Sequence, residues 1–184
     1  MMELVKVFLE EGDLWDEEKV VLEKEGERAR IVVVYLGRKK ANLRLKYEIE
    51  VLAREARAEI RVFGVLLDEA RKDLAMRLNF GSGSEKASGE ELEDSMNLSS
   101  MVQNRTEPIL ESAEQSAAGK HGVKVGRIDE KQVNYLMVRG IDERKIRKML
   151  VLAKLKQALK WIEKKENREK LERGLRRIEG ILER

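Results

Sequence analysis

The sequence predicts a mainly β body followed by an α-helical C-terminus, on three observations. Between about Lys19 and Val125, apolar residues alternate with polar ones. The alternation is clearest in Leu43, Leu45, Tyr47, Ile49 and Val51, in Ala58, Ile60, Val62, Gly64 and Leu66, and in Leu74, Met76, Leu78 and Phe80. A period of two turns one face of a strand toward a core. The continuous run Ile31 to Leu36, rich in β-branched residues, fits a strand covered on both faces. Past Ile128 the apolar spacing changes to that of a helix.

Taken in order, the chain opens on MMELVKVFLEEGDLWDEE. Acids inside a short apolar stretch do not make a secretory signal, and residues 1–18 are expected to be a segment apart from a body spanning 19–128. Short polar turns at Lys24–Glu27, Gly37–Lys40 and Leu67–Ala70 separate strands that recur roughly every 12–16 residues, a rhythm open to a meander, a sandwich or a β-solenoid. Gly81–Ser100, GSGSEKASGEELEDSMNLSS, reads equally well as a flexible loop or as solenoid turns. Asp129 and Gln132 have the spacing of a capping box, Val133, Leu136 and Met137 share a face, and Gly140 closes the helix. Asp142 caps a second helix with an apolar stripe of Ile146, Met149, Leu150, Ala153 and Leu159. A third stripe, Leu171, Leu175, Ile178 and Leu182, follows a break expected at Asn167 and reads as a solvated amphipathic cap on the core. These helices make up a C-terminal region, 129–184.

Composition removes several classes of function. With 184 residues, 42% hydrophobic and 40% charged, the chain is long enough for one domain with an appendage, and its charge-rich surface is like that of heat-adapted proteins. The 38 basic and 35 acidic residues are interleaved, so no basic block points to nucleic acid. There is no cysteine, which excludes disulfides, thiolate metal sites and cysteine nucleophiles within this chain. A single histidine, His121, excludes histidine-rich metal sites and argues against a Ser-His-Asp triad. No apolar run approaches the ~20 residues that cross a bilayer, and a soluble, cytoplasmic protein is expected. Gly81-Ser82-Gly83-Ser84 lacks a following Gly-Lys-Ser/Thr, so nucleotide binding is not expected.

The stretch around His121 is more specific. His121-Gly122 is followed by Gly126-x-Ile128-Asp129, then by Gln132, Tyr135 and Leu136, and the helix ends in Arg139-Gly140-Ile141. These residues, in fixed register over about 30 positions and preceded by the lone Pro108, resemble the C-terminal signature of the SufB/SufD family of iron–sulfur cluster assembly scaffolds. The resemblance implies a right-handed parallel β-helix with a helical region that covers one end of the solenoid. It covers the C-terminal part of longer family members, from about Lys19 onward. Gly122, where SufB-like chains more often carry Glu, leans toward SufD.

The resemblance implies a noncatalytic scaffold subunit that acts in an oligomer, a homodimer or a pair with a SufB-like chain, together with a SufC-like ABC ATPase. His121 would be a metal ligand at an intersubunit seam, with imidazole suited to iron and Gly119 and Gly122 allowing close backbone approach. The ATPase would dock on the helical region between about Asp129 and Trp161, with Met149, Leu150 and Leu159 as contact residues. No cofactor is expected to stay on this chain alone; an iron–sulfur cluster would need a cysteine-bearing partner. Glu107, Glu111 and Glu114 are candidate oxygen ligands, although solvated surface is the simpler reading for them. Two other expectations stand beside this one: a shortened paralogue serving as a structural or regulatory oligomerisation module without cluster chemistry, and a β-solenoid enzyme using acids, for which no carboxylate pair can be singled out.

Overall fold

The computed structural model describes residues 1–182. Its strands are β1 (Met2–Phe8), β2 (Leu14–Leu22), β3 (Arg28–Gly37), β4 (Asn42–Val51), β5 (Arg57–Leu66), β6 (Arg71–Phe80), β7 (Ser88–Asn97), β8 (Gln103–Ser112) and β9 (Ala118–Arg127). The odd strands form one parallel sheet in the order β1-β3-β5-β7-β9, and the even strands form another in the order β2-β4-β6-β8. The chain therefore crosses between sheets at every turn, and each odd–even pair is one coil of a parallel β-solenoid. Coil-to-coil register is regular at first, with Leu14 beside Leu43, Arg28 beside Arg57 and Asn42 beside Arg71. Longer turns then shift it, so that Arg57 sits beside Ser88 and Arg71 beside Gln103.

Alternation supplies the interior. Ile31, Val33, Tyr35, Ile60 and Val62 of one sheet meet Leu45, Tyr47, Ile49, Leu74, Met76, Leu78 and Phe80 of the other in a single buried cluster. The run Ile31–Leu36 is covered on both sides, as its composition predicts. Its other set, Val32, Val34 and Leu36, joins Phe63 and Val65 under the C-terminal helices. Turns repeat too. Gly26, Glu55 and Lys86 occupy one column and Lys39 and Asp68 another, all with φ between 55° and 68°. Amides of one coil donate to carbonyls of an adjacent coil in each column, Gly26 to Arg54 and Glu55 to Glu85 toward the next coil and Glu69 to Lys39 toward the preceding one.

The helices are α1 (Glu130–Val138), α2 (Glu143–Lys156) and α3 (Lys165–Ile181), with a 3-10 turn at Gln157–Trp161. Asp129 and Asp142 cap α1 and α2, accepting from the amides of Lys131 and Arg144, and Gly140 (φ 83°) ends α1. The chain then runs back over the outer face of the five-stranded sheet: α2 packs on β5, the 3-10 turn on β3 and β5, and α3 on β1. Two polar ties fix the return path. Lys154 Nζ meets Asp94 Oδ1 of β7 at 2.7 Å, and Glu3 of β1 accepts from the amides of Glu163 (2.7 Å) and Lys164 (3.1 Å) and from Asn167 Nδ2 (2.9 Å).

Five expectations change. Residues 1–18 are no separate segment: β1 and β2 build the first coil, and Leu4 and Phe8 pack against the solenoid core. Gly81–Ser100 is more than a loop or turns, because it carries the whole of β7. The helices cover a flank of the solenoid rather than its end, since the outward residues of β3 and β5 are apolar and demand a layer. The buried side of α2 is Ile146, Val151, Leu152 and Leu155, which leaves Met149 and Ala153 of the expected stripe exposed. The break expected at Asn167 falls just before it, at Ile162–Lys164, and α3 runs through Asn167.

Candidate functional site

The chemistry-bearing residues gather inside the last coils. In β7 the inward positions are Glu91, Glu93 and Ser95, in register with Ile60, Val62 and Gly64 of the coil before. All three are buried. Lys72 of β6 and Thr106 and Asn104 of β8 face them from the opposite sheet. Glu93 is fully partnered: Oε1 accepts from Tyr35 Oη at 2.8 Å and from Lys72 Nζ at 2.6 Å, and Oε2 accepts from Thr106 Oγ1. Lys72 Nζ also donates to Thr106 Oγ1 at 2.7 Å. Tyr35 reaches Glu93 by lying across Gly64, where an added Cβ would stand 2.0 Å from its ring. Burial, only partly offset by the neighbouring Glu93 carboxylate, holds Lys72 below its ordinary pKa. Burial and then the Glu93 charge push Tyr35 well above its own.

Glu91 is the exception. Its side chain is wholly buried, yet neither carboxylate oxygen has a hydrogen-bond partner among the described residues. Burial pushes its pKa up to about 8, and the backbone amide of Ile109 opposes the rise without reaching hydrogen-bond geometry. His121, its register partner in β9, places Nδ1 3.8 Å from Oε1.

His121 thus stands within a ten-residue strand, not at the junction with the helices. Strand β9 is the edge of its sheet and β8 the edge of the other, so the last coil is open; the His121 side chain is 51% exposed while the carboxylate behind it is closed off from solvent. The flanking glycines serve this chain's own packing: a Cβ at Gly119 would lie 2.5 Å from Leu110, and one at Gly122 would lie 3.2 Å from Leu92. Pro108 lies in β8, an edge strand, where its missing N–H interrupts no ladder on the open side.

The other predicted residues lie apart from His121. Met149 is exposed on α2, while Leu150 and Leu159 are half-buried against the helix–sheet core. The helical layer also exposes Tyr135, Met137 and Val138 on α1. Arg139 stacks on Tyr135, 4.1 Å from the ring centre. Glu107 pairs with Arg105, Glu111 with Arg77, and Glu114 accepts from Ser116 within its own turn, so none is directed at His121. Among the described residues no cluster of three or more metal-ligating side chains forms, and no helix is long and apolar enough to cross a membrane. A groove of ≈ 620 Å³ between the β7–β8 turn and α1 is lined by neither His121 nor Glu91.

Sequence reasoning misses Glu91, Glu93 and Lys72. The available signal was the coil length: stepping back one coil from His121 lands on Glu91, and the alternation Glu91, Glu93, Ser95 continues an inward face.

The fold and these residues define a parallel β-solenoid with an apolar body, a polar final coil and a histidine on its exposed end strand. A family model for the SufBD core domain of the SUF system of FeS cluster assembly matches residues 1–154. The chain therefore belongs to the SufB/SufD family of iron–sulfur cluster assembly proteins. The match begins in the first strand, so the family core includes the coil that sequence reading set aside, and it ends within α2. No curated protein matches the chain.

Proposed function

We propose that this chain is a noncatalytic scaffold subunit of a Suf-type assembly system, acting in an oligomer with an ABC-type ATPase and a cysteine-bearing, SufB-like chain. The observation that carries the reading is the placement of His121, the residue matching the family signature, on an open edge strand. An imidazole there can reach a neighbouring chain that pairs with β8 or β9, and edge strands left uncovered are what oligomerisation buries. Neutral imidazole is a borderline donor suited to iron, and this chain adds no thiolate, so any cluster is held chiefly by the partner's sulfur ligands. ATP turnover belongs to the ATPase, which docks on the exposed apolar face of α1 and α2 around Met149, with Leu150 and Leu159 supporting that face from below.

Two variants test the reading. His121→Ala, at an exposed position, is expected to change stability by under about 0.5 kcal/mol and to impair cluster assembly when the cysteine-bearing partner is present. Met149→Asp is expected to abolish capture of the ATPase with an unchanged circular dichroism spectrum. Normal assembly by the first variant would leave the chain an oligomerisation module without cluster chemistry. Loss of fold in the second would return Met149 to the core.

A further inference from the structure

Glu91 and Glu93 sit two residues apart on the same inward face of β7, both wholly buried, yet they are treated differently. Glu93 is satisfied by a tyrosine, a lysine and a threonine. Glu91 has none of these, although a carboxylate removed from water without partners is costly. His121 does not satisfy it with a hydrogen bond, because 3.8 Å exceeds hydrogen-bond reach. That gap has a different use. Two donors bound at ~2.1 Å to one tetrahedral ion stand about 3.4 Å apart, a separation reached here by a small side-chain rotation.

We infer that Glu91 and His121 form a two-ligand half-site for a divalent first-row transition metal such as Fe(II), with its remaining positions open toward the end of the solenoid. One carboxylate oxygen and one imidazole nitrogen are a donor set for iron, cobalt or zinc rather than for magnesium. Glu91, giving up its proton as the ion binds, supplies an anionic donor at a fixed position, while the exposed imidazole is the gate to solvent or to a second chain. The inference rests on the reading of His121 as a ligand and adds the residue that would anchor the ion from within.

The test is an anaerobic Co²⁺ titration of the purified, chelator-stripped full chain, followed by visible absorbance, with Glu91→Gln and His121→Ala beside the wild type. Glutamine keeps the size of Glu91 and removes its charge, and melting curves check that each variant is folded. Saturable binding of one Co²⁺ per chain, weakened at least tenfold in each variant and not displaced by excess Mg²⁺, is the expected result. Binding weakened by His121→Ala but untouched by Glu91→Gln overturns the role of Glu91 and leaves His121 a ligand. Absence of saturable binding, or binding that neither variant alters, overturns the half-site, whereas the reading of His121 in a partner-completed site falls only if His121→Ala supports cluster assembly normally.

Discussion

Gly64 matters because of what its missing side chain lets Tyr35 do. The ring crosses the strand at Gly64 to donate to Glu93, and Lys72 and Thr106 complete that carboxylate. A methyl group at residue 64 must displace the ring, so Gly64→Ala is expected to destabilise the protein by about 1–3 kcal/mol in urea unfolding. Lys72→Met leaves Glu93 charged and buried without its cation and should cost about 3–5 kcal/mol, whereas the double variant Lys72→Met/Glu93→Gln should recover most of that loss. Little of this was legible in the sequence. Gly64 looks like one more member of an apolar alternation, and Lys72 and Glu93, 21 residues apart, meet only because the two sheets face each other. His121 was legible as a residue through its signature, but its setting was not: the glycines beside it suggested close backbone approach of a partner, whereas they fit the side chains of Leu110 and Leu92 inside the sheet.

At the level of elements, strands with apolar inward faces are legible, since β4, β5 and β6 satisfy the alternation rule and β3 is a continuous run covered on both faces. Strand β7 escaped because its inward residues are Glu91, Glu93 and Ser95, and a strand whose buried face is polar has the composition of a loop. Strands β1 and β2 escaped because acids and the turn around Gly12 interrupt their apolar residues. The turn columns offer a direct test. Glu55 holds φ 55° in the column whose first member is Gly26. A non-glycine residue there costs about 1–2 kcal/mol, part of which glycine's freedom in the unfolded chain takes back, so Glu55→Gly is expected to raise stability by up to about 1 kcal/mol. The docking of α3 should depend on pH through Glu3. Burial works against its charge, but hydrogen bonds from Asn167, Glu163 and Lys164, with the nearby Arg30, outweigh it and hold its pKa below the ordinary 4.5. A lowered carboxyl pKa contributes stability in full above the unfolded value and loses it as pH falls through the folded one. Protection factors of the Glu163 and Lys164 amides, taken relative to intrinsic exchange at each pH, should therefore fall below about pH 4.5 in the wild type, and a Glu3→Gln variant should show lower protection already at neutral pH.

On the scale of the whole molecule, the solenoid is closed along one flank by helices and open along its last coil. The sequence carried the two-part architecture and the boundary near Ile128, because a change from period two to a helical period is a local signal. It could not place the helices on the flank, since that choice depends on which outward strand residues lie side by side after coiling. Val32, Val34, Phe63 and Val65 become a surface needing cover only once β3 and β5 are neighbours. What the open coil is for is the central claim, and it concerns other chains. The most direct measurement is affinity capture of the full chain from native extract under anaerobic conditions, with the bound proteins identified by mass spectrometry. Membership of a Suf-type scaffold predicts an ABC-type ATPase and a cysteine-bearing SufB-like chain in stoichiometric amounts, the ATPase lost with Met149→Asp. Recovery of this chain alone, or only as a self-associated oligomer without either partner, would contradict it.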